Sequence, residues 1–122
     1  MPSRLQHIEQ YEKNKSLANS KHIRQPQFKD WRIVIIFYAT MHYLESFYSK
    51  ERHFKSHIRR KEYLESTLIY DTIVYDYENL EMLSRKSRYD CVNILDKEVT
   101  DALINMKAVE DFVNDPSNQI TG

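Results

Sequence analysis

The chain has 122 residues, with 18 basic and 18 acidic side chains and a formal net charge of zero. It is long enough to bury a core as one domain without help from a metal or disulfides. One glycine and three prolines disfavour a sheet protein rich in tight turns, and a single cysteine, Cys91, excludes an internal disulfide framework. The single cysteine is typical of a reducing cytoplasm, and no export signal is recognisable.

The charges are unevenly distributed along the chain. Residues 1–64 carry 13 Lys or Arg and 6 Asp or Glu, a net charge of +7, whereas residues 65–122 carry 5 and 12, a net charge of −7. All five histidines lie in the basic half. This split is typical of a chain that binds an anion or packs against a second copy of itself. Two solvated faces of one fold would explain it equally well.

The first predicted helix begins after Ser3, whose hydroxyl is suited to cap it, and extends to about Asn19. It is mostly polar, so we expect it to cover a bundle rather than fill it. Residues 21–29, around Pro26, are predicted to form a connecting loop. No internal repeat, low-complexity tract or second domain is apparent in the chain.

Residues 30–50 form the most apolar predicted helix, and we expect the rest of the chain to pack around it. Asp30 is predicted as its N-cap. Apolar residues occupy nearly every side, which is the pattern of a buried helix. Arg32, His42 and Glu45 interrupt the apolar run, so a membrane span is disfavoured. His42 is expected to be a core residue whose ring donates to a carbonyl or a tyrosine.

Three further segments have helical periodicity. Ser56 is predicted to cap a helix that breaks near Ser66, after which apolar residues recur at helical spacing to about Arg88. The last helix is predicted over residues 96–114, where Asp115 and the residues after it end it. We therefore expect an all-α, antiparallel bundle of four or five helices with a core over residues 5–113 and a flexible tail over 114–122.

Residues 50–61 are the most charged stretch and contain a candidate catalytic pair, Arg52 and His57. RNA cleavage by the ribose 2′-hydroxyl needs a group that transfers protons and a cation that stabilises charge on the phosphate. Histidine is suited to the first task and arginine to the second. One such pair is expected by chance in a chain of this composition, so a solvated helix N-terminus remains the alternative.

The candidate RNA- or anion-binding residues lie in this stretch and in a second basic cluster, residues 84–89. They are His53, Lys55, Arg59, Arg60, Lys61, Arg85 and Arg88, with His42, Tyr38 and Tyr89 in supporting positions. Cations at the end of a helix also favour its dipole, which explains the second cluster without a ligand. The sequence does not establish whether the two clusters meet.

A metal site is disfavoured. His53 and His57 have the spacing of two ligands on one helix face, but no cysteine or carboxylate is placed as a third ligand. No glycine-rich phosphate loop is present either. We therefore expect neither a metal nor a cofactor.

Taken together, several short motifs resemble the HEPN superfamily, in particular small prokaryotic HEPN-like proteins. The motifs are Asp30-Trp31, Phe37-Tyr38-Ala39-Thr40-Met41-His42, Ser56-His57 with Arg60, and Ser84-Arg85 with Arg88-Tyr89. The resemblance covers roughly residues 5–113. It implies a dimeric helical bundle, and in many members a metal-independent ribonuclease whose motif is an arginine followed, after four to six residues, by a histidine. Arg52 and His57 meet this description, although the motif lies earlier in the chain than in many HEPN toxins.

The leading functional prediction is an RNA-binding homodimer with a candidate endoribonuclease site at Arg52 and His57. The resemblance implies a defence or toxin–antitoxin context. The alternative is a non-catalytic interaction module whose basic half docks an acidic protein partner. Neither prediction involves a membrane.

Overall fold

The computed structural model describes residues 2–49 and 54–118. Over these ranges the regular structure is helical and contains no strand, which confirms the prediction of an all-α helical bundle. The α-helices are α1 (Arg4–Ala18), α2 (Lys29–Tyr48), α3 (His57–Ser66), α4 (Val74–Tyr89) and α5 (Asp96–Asn114). Short 3₁₀ turns precede α2 and α4 and follow α5, at Pro26–Phe28, Leu68–Tyr70 and Pro116–Asn118.

Side-chain contacts fix the directions of the helices. Arg32 near the start of α2 donates to the carbonyl of Ala18 at the end of α1 at 2.9 Å, so α1 and α2 form an antiparallel hairpin. The pairs Asn79–Asn105 and Lys86–Glu98 join α4 to α5 in the antiparallel sense. Each of these helix pairs is therefore antiparallel, as in an up-and-down bundle.

The core surrounds α2, as its apolar sequence predicts. Fully buried side chains from α2 include Ile33, Ile36, Phe37 and Leu44, and they pack against apolar residues of α4 and α5. Trp31 is the exception, since 58% of its surface is exposed at the first turn of α2. A helix that is apolar on every side is thus buried along most of its length, but not where it enters the bundle.

Side-chain caps explain where two of the helices begin. Ser3 accepts from the N–H of Gln6, and the Gln6 side chain accepts from the N–H of Ser3, which completes a capping box for α1. Ser56 accepts from the N–H of Arg59 and caps α3, as predicted. The prediction for Asp30 is wrong, because α2 begins one residue earlier at Lys29. Asp30 lies in the first turn, where its carboxylate still favours the helix dipole.

The other helix ends agree closely with the sequence. The third helix ends at Ser66, and α5 spans Asp96–Asn114 as predicted. The segment after α5 was expected to be a flexible tail, but its first part forms the 3₁₀ turn Pro116–Asn118, and the Asn118 amide donates to the carbonyl of Phe112 at 3.1 Å. Among the helices that the structure describes, none is long and apolar enough to cross a membrane.

Candidate functional site

A cavity of about 660 Å³ opens where α1, α2 and the start of α3 meet. Three histidines from three helices line it: His7 of α1, His42 of α2 and His57 of α3. We call this cavity the histidine pocket. Its other lining residues are Pro2, Tyr38, Met41, Glu45, Phe54, Lys55 and Arg60. Groups that can transfer protons and groups that carry fixed charge are therefore concentrated in one concave site.

His7 and His42 form a direct pair, with their Nδ1 atoms 3.0 Å apart. One ring must donate this hydrogen bond and the other accept it, so at least one of the two rings is neutral. Burial, the neighbouring His7 and the charge of Arg60 lower the pKa of His42 to about 4. When both rings are neutral, the donor ring keeps an unprotonated Nε2, which is the form of imidazole that accepts a proton.

His57 is the first residue of α3, and its ring packs against Phe37 with a centroid distance of 5.3 Å. Nη1 of Arg60 lies 3.2 Å from its Nδ1. Arginine can only donate, so Nδ1 accepts and the proton of the neutral ring is on Nε2. Burial and the charge of Arg60 lower the pKa of His57. His57 is therefore a neutral hydrogen-bond donor, half-buried rather than placed in an exposed loop.

Arg60 is almost completely buried, although the sequence places it in an anion-binding surface. Its Nε donates to Oε1 of Glu45 at 2.8 Å, Nη1 lies 3.2 Å from the Tyr77 hydroxyl, and Nη2 donates to the carbonyl of Phe54 at 3.1 Å. Only 5% of its side chain is exposed. Arg60 thus joins α3 to α2 and α4, and its charge is offset by Glu45.

The other residues predicted from the charged stretch have different surroundings. Arg52 and His53 lie outside the described residues. Lys55 lines the histidine pocket, whereas Arg59 is exposed to solvent. Lys61 is exposed on α3, where it lies 3.9 Å from the carboxylate of Glu65.

The two basic clusters of the sequence meet on either side of His57. A second cavity, of about 510 Å³, lies between α3 and α4, and His57, Lys61 and Arg85 are among its lining residues. Arg85 also forms an ion pair of 3.0 Å with Glu81. One turn further along α4, Nη1 of Arg88 donates to the hydroxyl of Tyr38, a lining residue of the histidine pocket, at 2.7 Å. Tyr89 is exposed.

His7 was not a predicted site residue, whereas His42 was predicted both as a core histidine and as a supporting site residue. In the structure His42 is half-buried, pairs with another histidine and lines a cavity. The pairing of His7 with His42 could have been predicted from the antiparallel arrangement of α1 and α2. With Ala18 opposite Arg32, counting back along α1 and forward along α2 brings His7 opposite His42.

Within residues 2–49 and 54–118, no group of three or more histidine, cysteine or acidic side chains is placed to hold a metal ion. The chemistry of the described site is therefore that of paired imidazoles, a buried ion pair and nearby cations.

Comparisons with protein-family models, with curated proteins and with solved structures found no match to this chain.

Proposed function

We propose that the protein is an HEPN-like RNA-binding homodimer that cleaves RNA without a metal, in a defence or toxin–antitoxin context. The observation that supports this most directly is the convergence of His7, His42 and His57 in one pocket. Metal-independent RNA cleavage needs groups that move protons at neutral pH, and imidazole is the side chain suited to it.

We assign the steps of the proposed cleavage to these residues as follows. The ribose 2′-hydroxyl gives its proton to the unprotonated Nε2 of the His7–His42 pair. The 2′-oxygen then bonds to phosphorus while the bond from phosphorus to the 5′-oxygen breaks, and water protonates the leaving oxygen. The products are a 2′,3′-cyclic phosphate and a 5′-hydroxyl end. The Nε2–H of His57 donates to the charged phosphate oxygens.

This assignment changes the role that the sequence gives to His57. Its Nδ1 is occupied by Arg60, so its outward nitrogen carries a proton and cannot act as a base. The base is instead one ring of the His7–His42 pair. Arg52 keeps its proposed role as the cation of the HEPN-type motif, and Lys55 adds a second positive charge at the pocket.

The alternative, a non-catalytic interaction module, is favoured by a different observation. Ile58, Tyr75 and Met82 around the second cavity are 71%, 73% and 49% exposed. Exposed apolar side chains next to the basic residues Arg59 and Lys61 are suited to a protein partner that carries acidic groups. An interaction module of this kind would bind its partner around the second cavity and would not cleave RNA.

Cleavage of a labelled RNA in EDTA distinguishes the two functions. We expect wild type to cleave and to leave 2′,3′-cyclic phosphate ends. His42→Ala and His57→Ala should each lower the rate by about 10²–10⁴-fold, the usual contribution of a group that transfers or donates protons. Arg52→Ala, measured in parallel, tests the cation of the motif.

His22→Ala is the matched control, because His22 is an exposed histidine outside the pocket. It should cleave like wild type. Melting temperature and light scattering on each variant show whether fold and dimer are intact. Binding of RNA without cleavage would exclude the enzyme and favour the interaction module, whereas full activity in a folded His42→Ala variant would exclude the His7–His42 pair as the base.

A further inference from the structure

Another cavity lies at the opposite end of α1 from the histidine pocket, in the segment that connects α1 to α2. It has a volume of about 430 Å³, and its lining residues are Asn19, Lys21, Arg24 and Gln25. We call it the basic corner. Lys21 and Arg24 are exposed to solvent, and no carboxylate among the described residues forms an ion pair with either of them. All four side chains can donate hydrogen bonds, so the cavity is suited to an anion.

Arg32 of α2 adds a third cation beside the basic corner. Its Nε donates to the carbonyl of Ala18 at 2.9 Å, which holds the guanidinium at the end of α1. Partial burial and the nearby charge of Arg24 lower the pKa of Arg32. Within residues 2–49 and 54–118, no ion pair with a carboxylate offsets this repulsion. Two guanidinium groups that repel each other in this way favour the binding of an anion.

The end of α1 does not itself require the exposed cations. Its last carbonyls already have donors, because Arg32 donates to Ala18, and both the N–H and the hydroxyl of Ser20 donate to Leu17. In the part of the chain that the structure describes, neither the ammonium group of Lys21 nor the guanidinium of Arg24 has a hydrogen-bond partner. Capping of the helix therefore does not explain why both cations are present.

Gln25 contributes an oriented donor to the same cavity. Its Oε1 accepts from Nε2 of Gln27 at 2.8 Å, so the amide nitrogen of Gln25 remains as the group that can bind a ligand. An ammonium group, a guanidinium and an amide N–H on one concave surface are the donors that bind phosphate oxygens.

The basic corner is far enough from the histidine pocket to be a separate site on one RNA. Arg32 and His42 both lie on α2, and the interval between them corresponds to about 15 Å along the helix axis. An RNA longer than a few nucleotides extends beyond the pocket, and its backbone carries a negative charge at every phosphate. Because Lys21 and Arg24 are exposed, such a backbone can reach them without any opening of the bundle.

We propose that Lys21, Arg24 and Arg32 form an exosite, which binds the phosphate backbone of an RNA whose cleaved bond lies in the histidine pocket. This inference rests on RNA being the substrate of the proposed function. It adds a second contact that favours substrates long enough to span both sites. Because the corner binds phosphate and no base, it contributes affinity and orientation without reading sequence.

The test is equilibrium binding of a fluorescent RNA that is long enough to span both sites and whose 2′-hydroxyls are methylated, so that it cannot be cleaved. The corner variant, Lys21→Gln with Arg24→Gln, changes only exposed side chains and should fold like wild type. We expect it to weaken binding by about tenfold at low salt. The slope of log affinity against log salt concentration should fall by about one for each phosphate contact that is lost.

Lys13→Gln with Lys107→Gln is the matched control, because it removes the same charge from exposed lysines outside the basic corner. It should bind within about twofold of wild type and keep the same salt dependence. Melting temperatures of all three proteins exclude unfolding as a cause. The inference fails if wild type does not bind, if the corner variant keeps the affinity and salt dependence of wild type, or if the control loses as much.

Inorganic phosphate distinguishes an RNA exosite from a site for a small anion. Calorimetric titration of wild type and of the corner variant with inorganic phosphate measures this directly. Tight phosphate binding that needs Lys21 and Arg24, combined with RNA binding that does not, would assign the corner to a small anion and overturn the exosite.

The two proposals fail in different assays. Absence of cleavage, with RNA binding that depends on Lys21 and Arg24, would overturn the catalytic function alone. Cleavage that depends on His42, with a corner variant that binds RNA like wild type, would overturn the exosite alone.

Discussion

Two buried carboxylates are neutralised in different ways on two sides of the bundle. Glu45 of α2 pairs with Arg60, and the side chains of both are at most 5% exposed. Glu110 of α5 is 9% exposed, but its partner Lys15 is 40% exposed, and Glu110 also accepts from the hydroxyl of Tyr11. The charge of Glu45 is thus balanced by a cation that is almost completely buried, whereas the charge of Glu110 is balanced by a cation that is still exposed to solvent.

Glu45 belongs to a pocket, whereas Glu110 lies in the contact between two helices. The Glu45–Arg60 pair extends to Nδ1 of His57 and fixes its tautomer, so the buried charge contributes to the histidine pocket. The Glu110 cluster ties α1 to α5 and contacts no histidine through the hydrogen bonds described. Desolvating a buried ion pair costs free energy. Beside His57, the same pair also determines which nitrogen of the ring carries the proton.

The largest expected effect is that of Arg60→Ala. Removing the guanidinium leaves the Glu45 charge buried without its cation, and breaking such a pair typically costs about 3–5 kcal/mol. Unfolding in urea, followed by circular dichroism, measures the loss. A change below about 1 kcal/mol would show that water reaches Glu45 and that the pair is not buried in solution.

The double variant Glu45→Leu with Arg60→Met sharpens this result. It removes both charges and keeps apolar volume, so it should recover most of the stability that Arg60→Ala loses. Because it also removes the donor to Nδ1 of His57, it should leave RNA cleavage impaired. A double variant as unstable as Arg60→Ala would assign the loss to the bonds with Tyr77 and Phe54 instead.

Acid should destabilise the histidine pocket by an intermediate amount. The pKa of His42 falls from 6.5 in the unfolded chain to about 4 in the fold, so the unfolded state binds more protons between these values. The stabilisation is complete above about pH 6.5 and is lost as the pH falls toward 4. His57, whose pKa is also lowered, acts in the same direction. Since both rings are only half-buried, we expect a loss of about 1–2 kcal/mol.

Urea unfolding at several pH values between 7.5 and 4.5 measures this dependence. His42→Gln should have a flatter profile than wild type, whereas the exposed-site control His22→Gln should not. Carboxylates titrate over part of the same range, so the difference between the two variants is the quantity of interest. Parallel profiles for wild type and His42→Gln would contradict the lowered pKa.

The smallest effect is expected on the other side of the bundle, from Lys15→Ala. Glu110 keeps the hydroxyl of Tyr11 and can gain water where the ammonium group was, so the loss should be about 0.5–1 kcal/mol. The same urea titration measures it. A loss as large as that of Arg60→Ala would remove the distinction between the two carboxylates.

The sequence alone determined the features that depend on neighbouring residues. Ser3 and Ser56 were recognised as caps because a cap needs only the next few backbone N–H groups. The apolar periodicity located α2 and the ends of α5 for the same reason. The one cap that was predicted wrongly is Asp30. The 3₁₀ turn before α2 leads directly into the helix, so α2 begins at Lys29 and Asp30 lies within its first turn.

Only the tertiary structure decided what the polar residues do. In the sequence Arg60 is one of six basic residues in a charged stretch, and nothing local distinguishes it from Arg59. In the fold Arg60 is buried against Glu45 of α2, whereas Arg59 remains exposed to water. His7 and His42 likewise are 35 residues apart, and the hairpin of α1 and α2 brings their rings together. Burial and pairing across the bundle depend on the positions of distant helices, whereas capping and periodicity do not.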